Sequence, residues 1–557
     1  MHSSSVGQNE TRLSSLTNWV TALHLSLVGA VVSLALGIGQ LLSVNTLFGE
    51  PGTNLAYDQG VYFGAALRLT NGVLPYSDFT LVHPPGILVL LQPEALIGRI
   101  IGTGAGLALA QIVTVFVVAA NAFLAGYLVR SCGKSASLIA SLALALWPFA
   151  VHVDALVELE PYLVLFTFLA LHFATTTTAA TSKRRLLFAG LAIGMAMSVK
   201  VWGFYPFLGL SVVLGLQHRT KVLPFFVGTG AVLALLWGPF LVLCPSTFLH
   251  DVVVAQLQRQ GFVGTAPTSL VSRFLATAGL GDIFYGAVIS TSTVLVTLLF
   301  ALLLVGLGLT FGLRWKNRTS TEWVVFATCF TTAVGILSMH APNYTTHYAY
   351  VATAALAPLL GILVAKVVHL VDRSLAGEMI GDLPTRVLAG VMATFVLVFG
   401  VVIFTPKVAK VTKFEYASGF NVVSDLQDAI PLQSCTLSDF PNDLIAADRY
   451  LSSNPDCSQL TDPFGMYLAN DHGNQPHATS AEHPIPQEFS AKWFEALQHT
   501  EVVVLSVPFS SYFPWDERTT KWFAANFALK NSYSYNTLSG MAFNRYVYVR
   551  NGYVPGS

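Results

Sequence analysis

The feature that most constrains this chain is a series of apolar runs between Val20 and Phe404. Each is about 17 to 25 residues long, enough to cross a hydrocarbon core of roughly 30 Å as a helix. Backbone N–H and C=O groups find no water in lipid, so runs of this length predict helices that satisfy their own backbone. About eleven are legible, at 20–44, 104–129, 135–152, 157–177, 186–202, 203–217, 222–244, 284–313, 322–340, 347–366 and 387–405. Segment 84–100 is also apolar, but it is short and broken by Pro93, Glu94 and Arg99, which predicts a re-entrant or interfacial piece. Charged residues make up 10% of the chain, against about 25% in a soluble protein. Lys plus Arg equals Asp plus Glu at 29 each, so no net charge draws the chain to nucleic acid.

Orientation follows from the basic residues of the short loops, because Lys and Arg are retained on the cytoplasmic side during insertion. They fall in alternate loops: Arg130 with Lys134; Lys183, Arg184 and Arg185; Arg219 with Lys221; Arg314, Lys316 and Arg318; Lys366, Arg373 and Arg386. One parity satisfies the series. It puts the N-terminus in the cytoplasm and the first loop, 45–103, outside, together with loop 245–283 and everything after about Phe404. Lys407, Lys410 and Lys413 run mildly against it. The polar start, Met1 to Leu16, has one arginine and is followed by no small-residue cleavage signal, so the first apolar run is expected to stay as a span.

Composition changes after the last run, which divides the chain into a membrane part, 1–410, and a C-terminal α/β domain, 411–557. Helices are expected at Ser424 to Ile430 and Asp443 to Leu451, strands at Glu501 to Val507 and Met541 to Val549. Cys435 and Cys457 lie in this part; a disulfide is permitted outside the cytoplasm, and two free thiols are an equal reading. The Thr-rich stretch 175–181 reads as a solvated connector. No phosphate loop, Cys-x-x-Cys or Gly-x-Ser-x-Gly elbow is present, and the short inner loops offer no Asp-x-Asp pair for a nucleotide sugar.

The first outer loop is the informative segment. It reads Tyr57-Asp58-Gln59-Gly60-Val61-Tyr62, then Gly72-Val73-Leu74-Pro75-Tyr76-Ser77-Asp78-Phe79, then His83-Pro84-Pro85-Gly86. This order resembles the GT-C glycosyltransferases, in particular the protein O-mannosyltransferase and aminoarabinose transferase branch and its actinobacterial cell-envelope relatives. The resemblance implies a polytopic α-helical membrane enzyme that moves a sugar from a polyprenyl-phosphate donor to a glycan, lipid or protein acceptor outside the cytoplasm. It makes Asp58 the general base, since a carboxylate must take the proton of the attacking hydroxyl. Read from loop position alone, Asp58 would be a helix N-cap. Tyr57 and His83, from the same motifs, are expected at the substrate.

A second cluster, Trp147-Pro148-Phe149 with His152, Asp154, Glu158 and Glu160-Pro161-Tyr162, opens the fourth run. Here Glu160 is expected to be catalytic, with Asp154 or Glu158 beside it, orienting hydroxyls or holding a divalent cation; plain capping is the alternative. Asp58-Gln59 in place of two adjacent acids weakens the metal reading. Lys200, in Ser198-Val199-Lys200-Val201-Trp202-Gly203, is an isolated cation in an apolar run and so a functional candidate; the resemblance implies that it faces the lipid phosphate, and a lysine snorkelling to the interface is the alternative. Arg259, at the end of an interfacial helix over 252–261, is the second phosphate candidate, with a solvated surface arginine as the alternative. Tyr344, His347 and Tyr348 open the tenth run on the same side, where the resemblance implies that His347 and Tyr348 lie near the donor and an interfacial aromatic belt is the alternative. The C-terminal aromatics Trp493, Tyr512 and Trp515 are either an acceptor surface or core. A secondary transporter and a non-catalytic envelope protein are the rival classes, and replacement of Asp58 separates them from an enzyme.

Overall fold

The computed structural model describes residues 4–43, 57–175, 183–217, 222–259, 269–270, 273, 277, 321–339, 346–375, 422–470, 487–508, 512–536 and 542–553. Among these the chain is mostly helical. The first helices are α1 (Ser4–Ser43), α2 (Tyr57–Thr70), α3 (Gly86–Leu90), α4 (Gln92–Ile101), α5 (Thr103–Leu128), α6 (Lys134–Leu146) and α7 (Pro148–Val153). There follow α8 (Leu159–Thr175), α9 (Lys183–Val199), α10 (Phe204–Gln217), α11 (Leu223–Leu236), α12 (Gly238–Leu243), α13 (Pro245–Leu249), a π turn (His250–Val254) and α14 (Ala255–Gln258). Then come α15 (Thr321–Ser338) and α16 (Thr346–Leu375). Four helical stretches among the described residues are long and apolar enough to cross a membrane: Leu23–Leu42, Thr103–Leu128, Thr321–Ser338 and His347–Lys366. Lys134–Leu146, Leu159–Thr175, Val201–Gln217 and Leu223–Leu236 are apolar but shorter. The expected runs 284–313 and 387–405, the connector 176–181 and Tyr344 lie outside the described residues.

The expected runs coincide with helices wherever they are described, and their breaks have local causes. Pro148 ends α6 because the residue before a proline is driven to extended backbone, and Trp147 has ψ 133°. The boundary expected between runs 186–202 and 203–217 falls at Lys200, which is extended (φ −150°, ψ 137°) and leads into a tight turn, Val201–Gly203. Segment 84–100 folds as the short α3 and α4, with Ile97, Ile100 and Ile101 exposed on one side. The helices pack α1 on α5 and α6, α6 on α16, α8 and α11 on α9, and α10 on α15.

The C-terminal residues contribute α17 (Val422–Ala429), β1 (Thr436–Ser438), α18 (Pro441–Ala446), α19 (Pro463–Asn470), α20 (Gln487–His499), β2 (Val502–Leu505), α21 (Glu517–Asn526), β3 (Phe527–Asn536) and β4 (Ala542–Arg550). The strands form one sheet in the order β1-β2-β4-β3, with β1 parallel to β2 and the other pairs antiparallel. The helix expected over Asp443 to Leu451 is shorter and begins earlier. It stops at Ala446, because Asp448 turns left-handed (φ 57°) and sends its carboxylate to Gly104 N (2.9 Å) and Thr103 Oγ1 (3.2 Å) at the start of α5. Cys435 and Cys457 are joined in a disulfide. Trp493 is not exposed: it is fully buried and stacks on Phe513 (3.9 Å), and Trp515 packs edge-on against it, so both belong to the core behind the sheet.

Candidate active site

The site grows from α2. Its first residues, Tyr57 and Asp58, lie at the helix N-terminus, where unpaired N–H groups favour a carboxylate. Two contacts fix the helix. Gln59 accepts a hydrogen bond from Gln111 of α5 (3.1 Å), and Gly60 lies so close to α18 that any Cβ would collide with the backbone of Asn442. The Gly72 to Phe79 motif is a turn: Asp78 accepts from Leu74 N (2.7 Å), and Tyr76, at φ 67°, sends its hydroxyl to the His83 carbonyl (2.6 Å). Asp78 thus has a structural role in building the turn that holds His83. His83 then lies 3.5 Å from the Tyr62 hydroxyl, one helical turn along from Asp58. The next residues, Pro84-Pro85-Gly86, rest on the end of α9, with Gly86 against the Ser198 carbonyl.

Just past the end of α9 comes Lys200, whose ammonium pairs with Glu160 at the start of α8; the two side chains are 5% and 0% exposed. The ammonium lies 3.7 Å from the ring centre of Trp202 and 4.6 Å from that of Tyr348. Such a cage holds a cation in a dry place without neutralising it. Arg259, at the C-terminal end of α14, donates to the Tyr348 hydroxyl (2.7 Å). α14 is held over this region by Gln256, which donates to the Val82 carbonyl (2.7 Å). The helix expected over 252–261 begins as a π turn and is described as far as Arg259.

His347, at the start of α16, faces Asp58 with Nε2 and Oδ2 3.7 Å apart. Asp58, Glu158 and His347 bring one ligand-type atom each within 4.8 Å of one another. Glu158 is 1% exposed, and its Oε2 has no hydrogen-bond partner among the described residues. Burial, and then the negative charges of Asp462 and Glu160, push the Asp58 carboxyl up to about 6, while Lys200 and Arg259 pull it down. Its side chain keeps 35% of its surface open, so it is reachable. His83 is held well below the usual histidine range by burial and by the same two cations, and it stays neutral.

Asp58, Glu158, Glu160, Lys200, Arg259, His83, His347, Tyr348 and Tyr57 therefore converge on one region. Asp154 does not join them: both its oxygens are buried without a hydrogen-bond partner among the described residues, and its polar neighbour is Tyr350, which bonds Asn121. The sequence reading missed Asp462. It accepts from the Tyr57 hydroxyl (2.9 Å), 405 positions away, and its charge acts on Asp58. Asp-Pro at the opening of α19 reads as an N-cap, and nothing in the sequence links it to Tyr57.

A bundle of apolar helices, a first loop folded as short helices and a C-terminal sheet that shares a core with it make up a fold also seen in solved structures of the GT-C type. Two solved structures share it along almost the whole chain. One is ArnT from Cupriavidus metallidurans in the apo state, a GT-C aminoarabinose transferase: TM-score 0.53, 13% identity, covering 96% of this chain and 98% of that one. The other is an Archaeoglobus fulgidus oligosaccharyltransferase tethered to an acceptor peptide containing the NVT sequon: TM-score 0.53, 14% identity, covering 96% of this chain and 74% of that one. At such identities the likeness is one of fold. No protein-family model and no curated protein matches the sequence.

Proposed function

We propose that this protein is an inverting glycosyltransferase that moves a sugar from a polyprenyl-phosphate donor to an acceptor hydroxyl outside the cytoplasm. One observation carries the reading: an accessible carboxylate, Asp58, lies within electrostatic reach of both Lys200 and Arg259, brought together from three distant parts of the chain. The GT-C fold supports it.

Asp58 takes the proton of the acceptor hydroxyl as that oxygen bonds to the anomeric carbon. The bond from that carbon to the phosphate oxygen breaks, and its electron pair leaves on polyprenyl phosphate. Lys200 and Arg259 stabilise the phosphate; the guanidinium is suited to two oxygens at once. Glu160 acts on the donor side, as the counter-charge that keeps Lys200 in place. Neutral His83 and the hydroxyls of Tyr62 and Tyr348 line the same region and orient the sugar.

Two carboxylates and an imidazole, one carboxylate oxygen being buried and unbonded, fit a divalent cation at Asp58, Glu158 and His347. When bound, the cation would add positive charge beside the phosphate. The orientation is that given by the loop charges: N-terminus in the cytoplasm, loop 45–103, loop 245–283 and domain 411–557 outside. A pentose or mannose donor and an envelope glycan acceptor are the substrates the sequence resemblance suggests.

The test offers purified protein a panel of radiolabelled polyprenyl-phosphate sugars with envelope extracts. Wild type is expected to transfer one of them and Asp58→Asn to lose transfer at least ~100-fold while still binding donor. Wild-type rate should rise with pH through about 6, because protonated Asp58 can neither accept a proton nor hold a cation. Full transfer by Asp58→Asn would refute the assignment.

A further inference from the structure

Around Tyr57 the C-terminal residues enter the site. The Tyr57 hydroxyl donates to Asp462 Oδ1 (2.9 Å) and accepts from Phe464 N (3.0 Å). Its ring stacks on Tyr512 (5.8 Å) and meets Phe440 edge-on (5.6 Å). Asp462 is 4% exposed and is itself fixed by Gly465 N, which donates to Oδ1 (2.8 Å). The Arg259 guanidinium lies 5.6 Å from the Phe464 ring. The turn at 462–465 therefore grips the residue directly before the proposed base and also borders a proposed phosphate ligand.

We propose that Asp462 is a positioning residue of the active site: by holding the Tyr57 hydroxyl it fixes the first turn of α2, and with it the direction of the Asp58 carboxylate. This rests on the reading of Asp58 as base. The physical reason is that Tyr57 and Asp58 lie at a helix end, where backbone bonding within the helix is incomplete and the first turn frays unless something outside holds it. Here a buried two-bond anchor from the C-terminal part does so. A buried carboxylate bonded by a hydroxyl and an amide is also costly to leave half-satisfied, which keeps the anchor closed. The C-terminal part is accordingly a working component of the catalytic centre.

Three variants test this beside wild type and Asp58→Asn, in the full-length protein, with initial rates of sugar transfer at saturating donor. Asp462→Ala is expected to lower kcat by about tenfold or more, since a misplacement of ~1 Å can cost ~100-fold, with donor KM changed less than threefold. Asp462→Asn keeps an oxygen for Tyr57 and should recover most of the rate. Tyr57→Phe should match Asp462→Ala, and the double variant should be no slower than either, as for residues acting through one bond. Wild-type kcat in Asp462→Ala, no recovery in Asp462→Asn, or additive losses in the double variant would overturn the proposal and leave Asp58 as base. An active Asp58→Asn would instead overturn the reading on which it rests.

Discussion

Lys200 and Glu160 form a buried ion pair to which the proposed function also gives a chemical role. Both are buried at the junction of α8 and α9, where two charges taken from water survive only by facing each other. The aromatic rings of Trp202 and Tyr348 cover the ammonium, and in the proposed reaction it is this ammonium that meets the donor phosphate. Glu160→Gln should therefore destabilise the protein by about 3–5 kcal/mol, the cost of leaving one buried charge alone. Glu160→Gln combined with Lys200→Met should recover thermal stability in detergent yet show no transfer. Recovery of transfer in the double variant would remove Lys200 from the phosphate. At this scale the sequence was informative: a lone lysine in an apolar run and a carboxylate at the start of the preceding helix are both visible as exceptions. What was not visible was that they face each other, because pairing depends on how α8 and α9 pack.

At the scale of elements, short helices do the positioning and glycine lets them approach. α2 carries Asp58, Tyr57 and Tyr62, and it can lie against α18 because position 60 has no side chain. Gly60→Val should push α2 from α18, lowering the thermal midpoint and the transfer rate together; an unchanged rate would mean that α2 is held elsewhere. The Gly72 to Phe79 and His83 to Gly86 motifs act in the same way, as a turn and a seat that deliver His83. Their spacing was readable because turns are local in sequence. The early end of α18 was not, since Asp448 leaves the helix to cap α5, a partner some 344 positions away.

The whole molecule joins the helical bundle and the C-terminal sheet through one continuous core. Val422, Leu444, Ile445 and Tyr450 are packed in the same buried cluster as Phe63, Leu67 and Leu88 from the first loop. Arg68 extends the link by donating to the Gln459 carbonyl (2.6 Å) and to Thr461 Oγ1 (3.0 Å), next to Asp462. The Cys435–Cys457 disulfide closes the loop that leads to this contact, with a sequence separation of 22. Cys435→Ser with Cys457→Ser is expected to lose about 3 kcal/mol, read as a lower unfolding midpoint in detergent that reductant no longer changes. A wild-type protein insensitive to reductant would contradict this.

The sequence by itself determined that the chain carries a series of apolar helices and a motif-bearing first loop, because hydropathy and turn chemistry are properties of neighbouring residues. It also marked most of the ionisable groups that meet at the site, since a charge in an apolar surrounding stands out wherever the chain runs. Only the tertiary structure decided which of them meet: Asp462 joined, Asp154 did not, and Trp493 went to the core. Those outcomes depend on contacts between segments hundreds of residues apart, which come from the packing of whole elements and leave no period or spacing in the sequence.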